Sequence, residues 1–262
     1  RIGPEQYVMT TTTAAAGQVM RHLEFISQAL HPEWDVRIMS VTEQWAQFAI
    51  AGPMARDLLH GVLDEVITND AWPFMSCGAV SVLGVAGRLF RISFSGEHAY
   101  ELAVPTRYGD SLFRLLTARA EAMGFDGLQV PDAIHDGLLL AGMALNATNS
   151  LIVGTGVLVA FPRSPMTTAI AAWDLQAMSG GRFEVGLGTQ IKPNIEQRYS
   201  ARWDSPVPQL REYVQAMKAV FHSFQTGERL NFEGEHYTLT KLQPFFNPGP
   251  IKHPDIPVLC GA

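Results

Sequence analysis

Three stretches of this 262-residue chain hold residue types and spacings that can do chemistry. The first is Ser95-Gly96-Glu97-His98-Ala99-Tyr100-Glu101, where two carboxylates four apart lie at a tight glycine turn that the pattern places at the tip of a β-hairpin. Charged residues at such a turn are commonly a solvated surface. The alternative is a ligand clamp, because a strand-borne carboxylate accepts two parallel N–H bonds from a guanidine-like edge such as the 2-amino/N3 edge of a pterin. The second stretch is Val130-Pro131-Asp132-Ala133-Ile134-His135-Asp136, in which His135 follows a short strand directly. A histidine there either braces a loop by a hydrogen bond or binds a ligand and transfers a proton. The third is the pair Gly154-Thr155-Gly156-Val157 and Gly186-Leu187-Gly188-Thr189. Glycines admit a ligand ring close to the backbone or mark a bulge, and the N–H groups of a glycine-rich turn can meet a phosphate. Only Gly186-x-Gly188 is present, without the GxGxxG run that opens a helix, so a Rossmann nucleotide site is a poor reading.

The elements that must position these residues change character along the chain. Tyr7 to Thr13 reads as a strand, followed by a helix with apolar residues at Val19, Met20, Leu23 and Ile26. Trp34 to Val41 and Gln44 to Ile50 are β-prone, and Ala51-Gly52-Pro53 leads into a helix through Leu58, Leu59 and Val62. Ala79 to Val104 reads as an antiparallel meander with a turn at Ala86-Gly87. A helix then runs from Tyr108 to Met123, with Leu112, Leu115, Leu116 and Ala120 on one stripe and Gly124 as its stop. Beyond it, strands at 127–130, 151–159, 183–187 and 256–260 alternate with helices at 138–146, 166–178 and 209–226, the rhythm of a parallel sheet or barrel. The fold expected is an α+β N-terminal part followed by a partial TIM-type (β/α) barrel. A complete barrel takes about 250 residues, so the segment after Ala118 encodes about half.

Hydrophobic residues make up 47% of the chain and charged residues 17%, which argues against disorder. With a net charge of −6 and no long Lys/Arg run, nucleic acid is excluded as a partner. Cys77 and Cys260 lie far apart without CxxC spacing, which rules out a disulfide scaffold and a cysteine zinc site and fits a reducing cytoplasm. No apolar run is long enough to cross a bilayer. The chain opens on Arg1 without a leader, which predicts a fragment.

Val41-Thr42-Glu43-Gln44-Trp45-Ala46, Ala51-Gly52-Pro53-Met54-Ala55-Arg56 and Arg91-Ile92-Ser93-Phe94-Ser95-Gly96-Glu97-His98-Ala99-Tyr100-Glu101-Leu102 together resemble the folate-binding part of the sarcosine oxidase alpha subunit and, more distantly, the glycine-cleavage T-protein. This resemblance spans residues 1–117. It implies an aminomethyltransferase-like, tetrahydrofolate-binding segment with Glu101 on the pterin ring. Phe94 stands where T-proteins often carry Tyr, which favours the sarcosine oxidase branch. The family's acidic residue for the amine chemistry would precede Arg1.

A second set resembles the luciferase-like flavin and deazaflavin oxidoreductases over residues 118–262: Gly124-Phe125-Asp126-Gly127-Leu128, His135-Asp136, Ile152-Val153-Gly154-Thr155-Gly156-Val157, Arg163-Ser164-Pro165, Ser179-Gly180-Gly181-Arg182-Phe183-Glu184-Val185-Gly186-Leu187-Gly188-Thr189 and Phe232-Glu233-Gly234-Glu235-His236-Tyr237. It implies a barrel that binds FMN or the deazaflavin coenzyme F420 and passes a hydride between the ring and a small-molecule substrate. Gly154, Thr155, Gly156 and Val157 would face the ring, where the family tends to hold a strained peptide. Gly186, Gly188 and Thr189 would approach the phosphate tail, and His135 would be a proton donor. Trp173-Asp174-Leu175-Gln176 resembles the deazaflavin subgroup and favours that coenzyme.

The two resemblances meet inside the helix Tyr108 to Met123. An open half barrel leaves edge strands and an apolar face, and a homo-oligomer is one way to bury them. A recombined or misassembled fusion that retains both family signatures without activity is the remaining expectation.

Overall fold

A computed structural model describes residues 1–11, 15–93 and 96–261. The chain forms two compact units, residues 1–123 and 124–262.

In the first unit, helix α1 (Ala16–Phe25) precedes a four-stranded antiparallel sheet of order β1-β4-β3-β2. Its strands are β1 (Trp45–Ala51), β2 (Cys77–Val82), β3 (Val85–Phe90) and β4 (Ala99–Pro105). Cα partners share a face of a sheet, so the register sorts the side chains. Ile50, Val80, Leu89, Tyr100, Leu102 and Val104 form the buried face. Helix α3 (Gly109–Ala122) covers it through Phe113 against Phe48 and the buried Leu112 and Leu116, and helix α2 (Ala55–His60) adds the buried Leu58 and Leu59. The opposite face carries Trp45, Gln47, Ala49, Cys77, Arg88, Phe90 and Glu101.

Four sequence expectations change here. The described part of Tyr7 to Thr13 is not a strand, and neither is Trp34 to Val41. Tyr7, Val36 and Met39 are exposed, so their β-prone side chains have no partner surface to define a pleat. The hairpin turn lies at Leu83-Gly84, both with positive φ (47° and 81°), rather than at Ala86-Gly87. Such a two-residue turn matches the strand twist and places Val82 opposite Val85. Glu101 is not at a hairpin tip: it lies inside β4, paired with Ala49 on β1 and Phe90 on β3.

In the second unit, β5 (Gly127–Val130), β6 (Ile152–Thr155), β8 (Phe183–Gly188) and β11 (Val258–Cys260) pair in parallel in the order β11-β8-β6-β5, and β7 (Leu158–Val159) also pairs with β8. Helices α4 (Gly137–Ala147), α5 (Pro165–Ser179) and α6 (Pro206–Thr226) alternate with them. Val130, Val153, Phe183, Val185 and Leu187 join Trp173, Tyr213, Met217 and Phe224 in one core. Ser164 caps α5, with Pro165 in its first turn, and Asp136 caps α4. A short hairpin of β9 (Phe232–Glu233) and β10 (Thr238–Leu239) follows α6. Among the described residues no helix is long and apolar enough to cross a membrane.

Candidate functional site

Gln129, Gly154 and Glu184 are Cα partners across β5, β6 and β8, on the face opposite the core. Strand alternation adds Gly186 and Gly188 to that face, and Gly156, just past the end of β6, joins them, since a Cβ on it would lie 3.2 Å from the Gln129 Cβ. Four of the sequence-predicted glycines therefore line one surface at the strand ends. Three leave no room for a side chain: a Cβ on Gly154 would lie 2.6 Å from the Gln129 amide, one on Gly186 2.0 Å from the Thr155 carbonyl oxygen, and one on Gly188 2.5 Å from a Val157 methyl. The Gly156–Val157 peptide bond is cis. Thr155 is buried, and its hydroxyl donates to the Gly186 carbonyl (2.8 Å) and accepts from the Gly186 N–H (3.0 Å). That N–H is thereby occupied. Thr189 is half-buried and its hydroxyl bonds the Gln190 carbonyl.

The loop after β5 is fixed by a charge cluster. Asp132, whose side chain is only 6% exposed, accepts from the N–H groups of Val159 (3.0 Å) and Gly137 (3.1 Å) and pairs with Arg163 at 2.8 Å. Arg163 also pairs with Asp136 at 2.7 Å. Burial alone would raise the Asp136 pKa, but the N–H bonds of Leu139 and Leu138 and the Arg163 charge outweigh it and hold the carboxyl below its usual value. His135 stands exposed on this loop.

In the first unit, Glu101 is half-buried on the open sheet face and accepts from Gln47 Nε2. Phe94 lies outside the described residues. A separate cleft of about 730 Å³ lies where two sequence motifs converge, and it is lined by Arg56, Asp57, Asn69, Phe74, Arg91 and His98 among others. Gly52 N–H donates to the His98 carbonyl (2.9 Å), which ties the turn before α2 to the start of β4. Arg56 Nε donates to the buried Tyr100 hydroxyl (3.1 Å), and His98 Nε2 lies 3.1 Å from the same oxygen. Partial burial, then the Arg56 and Arg91 charges, push the His98 pKa down. Glu101 does not line this cleft.

The family model of the luciferase-like monooxygenases matches residues 109–262. The chain belongs to that family. The model of the GCVT N-terminal domain matches residues 1–129, so the two matches overlap across the whole of α3 and the first part of the chain is similar to a second family. The first segment is 56% identical over 114 residues to the sarcosine oxidase alpha subunit of Rhizobium meliloti, covering 43% of this chain and 12% of that protein. The luciferase-like segment is 45% identical over 134 residues to an uncharacterised protein of Mycobacterium bovis, covering 51% of this chain and 39% of the relative. It is also 31% identical over 160 residues to a Mycobacterium tuberculosis protein named as a coenzyme F420-dependent oxidoreductase, covering 56% of this chain and 44% of that one. Among solved structures, an F420-dependent secondary alcohol dehydrogenase aligns over 60% of this chain and 48% of its own, with 24% identity and a TM-score of 0.49. The chain thus covers less than half the length of each of these proteins.

Several luciferase-like motif residues serve the fold. Gly180 and Gly181 close α5 with positive φ, donating to the Ala177 and Gln176 carbonyls. Arg182 donates to the Leu145, Thr148 and Leu151 carbonyls, joining the end of α4 to the strand that follows it. Glu212 accepts from the N–H groups of Glu235, His236 and Tyr237 (3.0, 2.8 and 2.6 Å), which anchors the β9–β10 hairpin on α6. Sequence reasoning missed the Gln129–Glu184 hydrogen bond of 2.6 Å, which crosses over Gly154. The signal was present in the alternation of β8, which puts Glu184 on the glycine face.

Proposed function

We propose that the luciferase-like segment seats a flavin or deazaflavin coenzyme on the face formed by Gly154, Gly156, Gly186 and Gly188, and that the chain serves hydride transfer between that coenzyme and a small molecule. The observation that carries this reading is the clustering of four glycines at the ends of β6 and β8 on the sheet face opposite the core, where Gln129, Glu184, Val157 and the Thr155 backbone pack so closely that a Cβ at three of the four positions would meet protein atoms within 2.6 Å. When bound, the coenzyme supplies the ring carbon that gives or takes the hydride. Val157, packed over Gly188, and Thr155, which ties β6 to β8, fix the backbone of the strand ends that would hold the coenzyme. Gly188 and Thr189 would hold its phosphate tail. His135, exposed on the loop after β5, acts as proton donor. The likeness to a protein named for coenzyme F420 favours deazaflavin over FMN.

The first unit supports a second reading, a tetrahydrofolate-binding module of one-carbon transfer. Its support is Glu101, a carboxylate on an open sheet face held by Gln47, which can accept paired N–H groups of a pterin edge.

Fluorescence titration of the purified chain with coenzyme F420, FMN and tetrahydrofolate separates these readings. Saturable binding of F420 or FMN is expected, F420 the tighter. A folded chain that binds neither overturns the oxidoreductase reading. One that binds only tetrahydrofolate leaves the second.

A further inference from the structure

The open face of the first unit's sheet carries a second charged group as well as Glu101. The register arranges this face in three rungs: Ala49, Glu101 and Phe90; then Gln47, Ala103 and Arg88; then Trp45 with Pro105. Arg88 extends toward the third rung, where its guanidinium stands 3.8 Å above the Trp45 ring. The cation–π contact holds the guanidinium over the ring without consuming its N–H groups. Among the described residues no carboxylate pairs with Arg88. Partial burial lowers its pKa, which measures the hydration it has already given up. The first and third rungs are four residues apart, roughly 13 Å along the strands. A fixed acceptor and a fixed guanidinium therefore share one sheet face at that separation, with Phe90 and Trp45 supplying aromatic surface at the two ends.

We infer that Arg88, stacked on Trp45, reads a carboxylate at the far end of the face that carries Glu101, so that this face takes an elongated ligand with an N–H-rich heterocycle at one end and a carboxylate at the other. The inference rests on the tetrahydrofolate reading and assigns the glutamyl carboxylate of that ligand to a residue that no sequence motif contains. The guanidinium fork suits a carboxylate, and because it is pre-positioned little side-chain entropy is lost on binding.

The test titrates the full chain with tetrahydrofolate, with 6-methyltetrahydropterin, which lacks the tail, and with 4-aminobenzoylglutamate, which lacks the pterin. Arg88→Gln is expected to weaken tetrahydrofolate about tenfold, a loss of about 1.4 kcal/mol. It should abolish aminobenzoylglutamate binding and leave the tetrahydropterin unchanged. Glu101→Gln is expected to reverse that pattern. Arg88→Lys, which keeps the charge over Trp45 and so protects the fold, should lose part of the tail affinity because it lacks the fork. Tetrahydrofolate binding that is indifferent to Arg88, or an Arg88→Gln chain that also loses the tetrahydropterin, overturns the inference while the folate reading stands. Arg88-dependent binding of aminobenzoylglutamate without any tetrahydropterin binding overturns the folate reading and keeps the carboxylate site. A wild-type chain that binds none of the three overturns both.

Discussion

Gly154 shows how little of a site a residue's own chemistry has to reveal. Flanked by Gln129 and Glu184, it lets their side chains meet at 2.6 Å over its Cα, and a Cβ there would lie within 2.8 Å of both. Gly154→Ala is therefore expected to break that hydrogen bond and destabilise the second unit by about 1–3 kcal/mol, read by thermal or urea unfolding. An unchanged midpoint would mean that the neighbours yield. The glycines themselves were legible in the sequence, since a spaced pair at a strand end is a visible pattern. Their polar neighbours were not, because Gln129 and Glu184 are 55 residues apart and only the register joins them. His98 gives a pH prediction in the other unit. Its folded pKa lies below the ordinary 6.5, so the unfolded chain binds more protons between the two values. The stabilisation from the neutral ring is present above about pH 6.5 and is lost as pH falls toward the folded pKa. His98→Gln should flatten that part of the stability profile, measured by unfolding between pH 8 and 5.

At the scale of elements, legibility followed burial. Strands β5 and β8 and helices α3 to α6 stand close to where periodicity put them, because each has a face in a core that the pattern of apolar residues records, whereas the strand expected over 151–159 is two, β6 and β7, and the short β9–β10 hairpin was not expected. Trp34 to Val41 misled for the converse reason: β-branched and aromatic residues favour strands only where a neighbouring strand and a packed face exist, and Met39 is 73% exposed. The glycine-arginine string after α5 was visible as a helix stop, which Gly180 and Gly181 supply, but the work of its arginine was not: Arg182 satisfies carbonyls that α4 leaves at its C-terminus. Arg182→Lys replaces a planar fork of five N–H groups by three, and is expected to cost the second unit about 2–3 kcal/mol. Equal stability of the variant in chemical unfolding would show that water replaces the lost bonds without penalty.

At the scale of the whole chain, two family matches share one helix. The match to the GCVT N-terminal domain ends at residue 129 and the luciferase-like match begins at 109, so α3 satisfies both patterns. The structural division falls after that helix, at Met123–Gly124, which leaves α3 wholly in the first unit. The two resemblances were legible because their motif sets are dense on either side of α3, whereas the open sheet face with Glu101 and Arg88 emerges only from the β1–β4–β3 register. The glycine face of the second unit is the coenzyme seat we propose. Hydrogen–deuterium exchange of the full chain with and without saturating coenzyme F420 or FMN reads that seat peptide by peptide. Slowed exchange is expected, concentrated in peptides covering residues 152–159 and 183–189. Binding that protects other segments and leaves these two unchanged would contradict it.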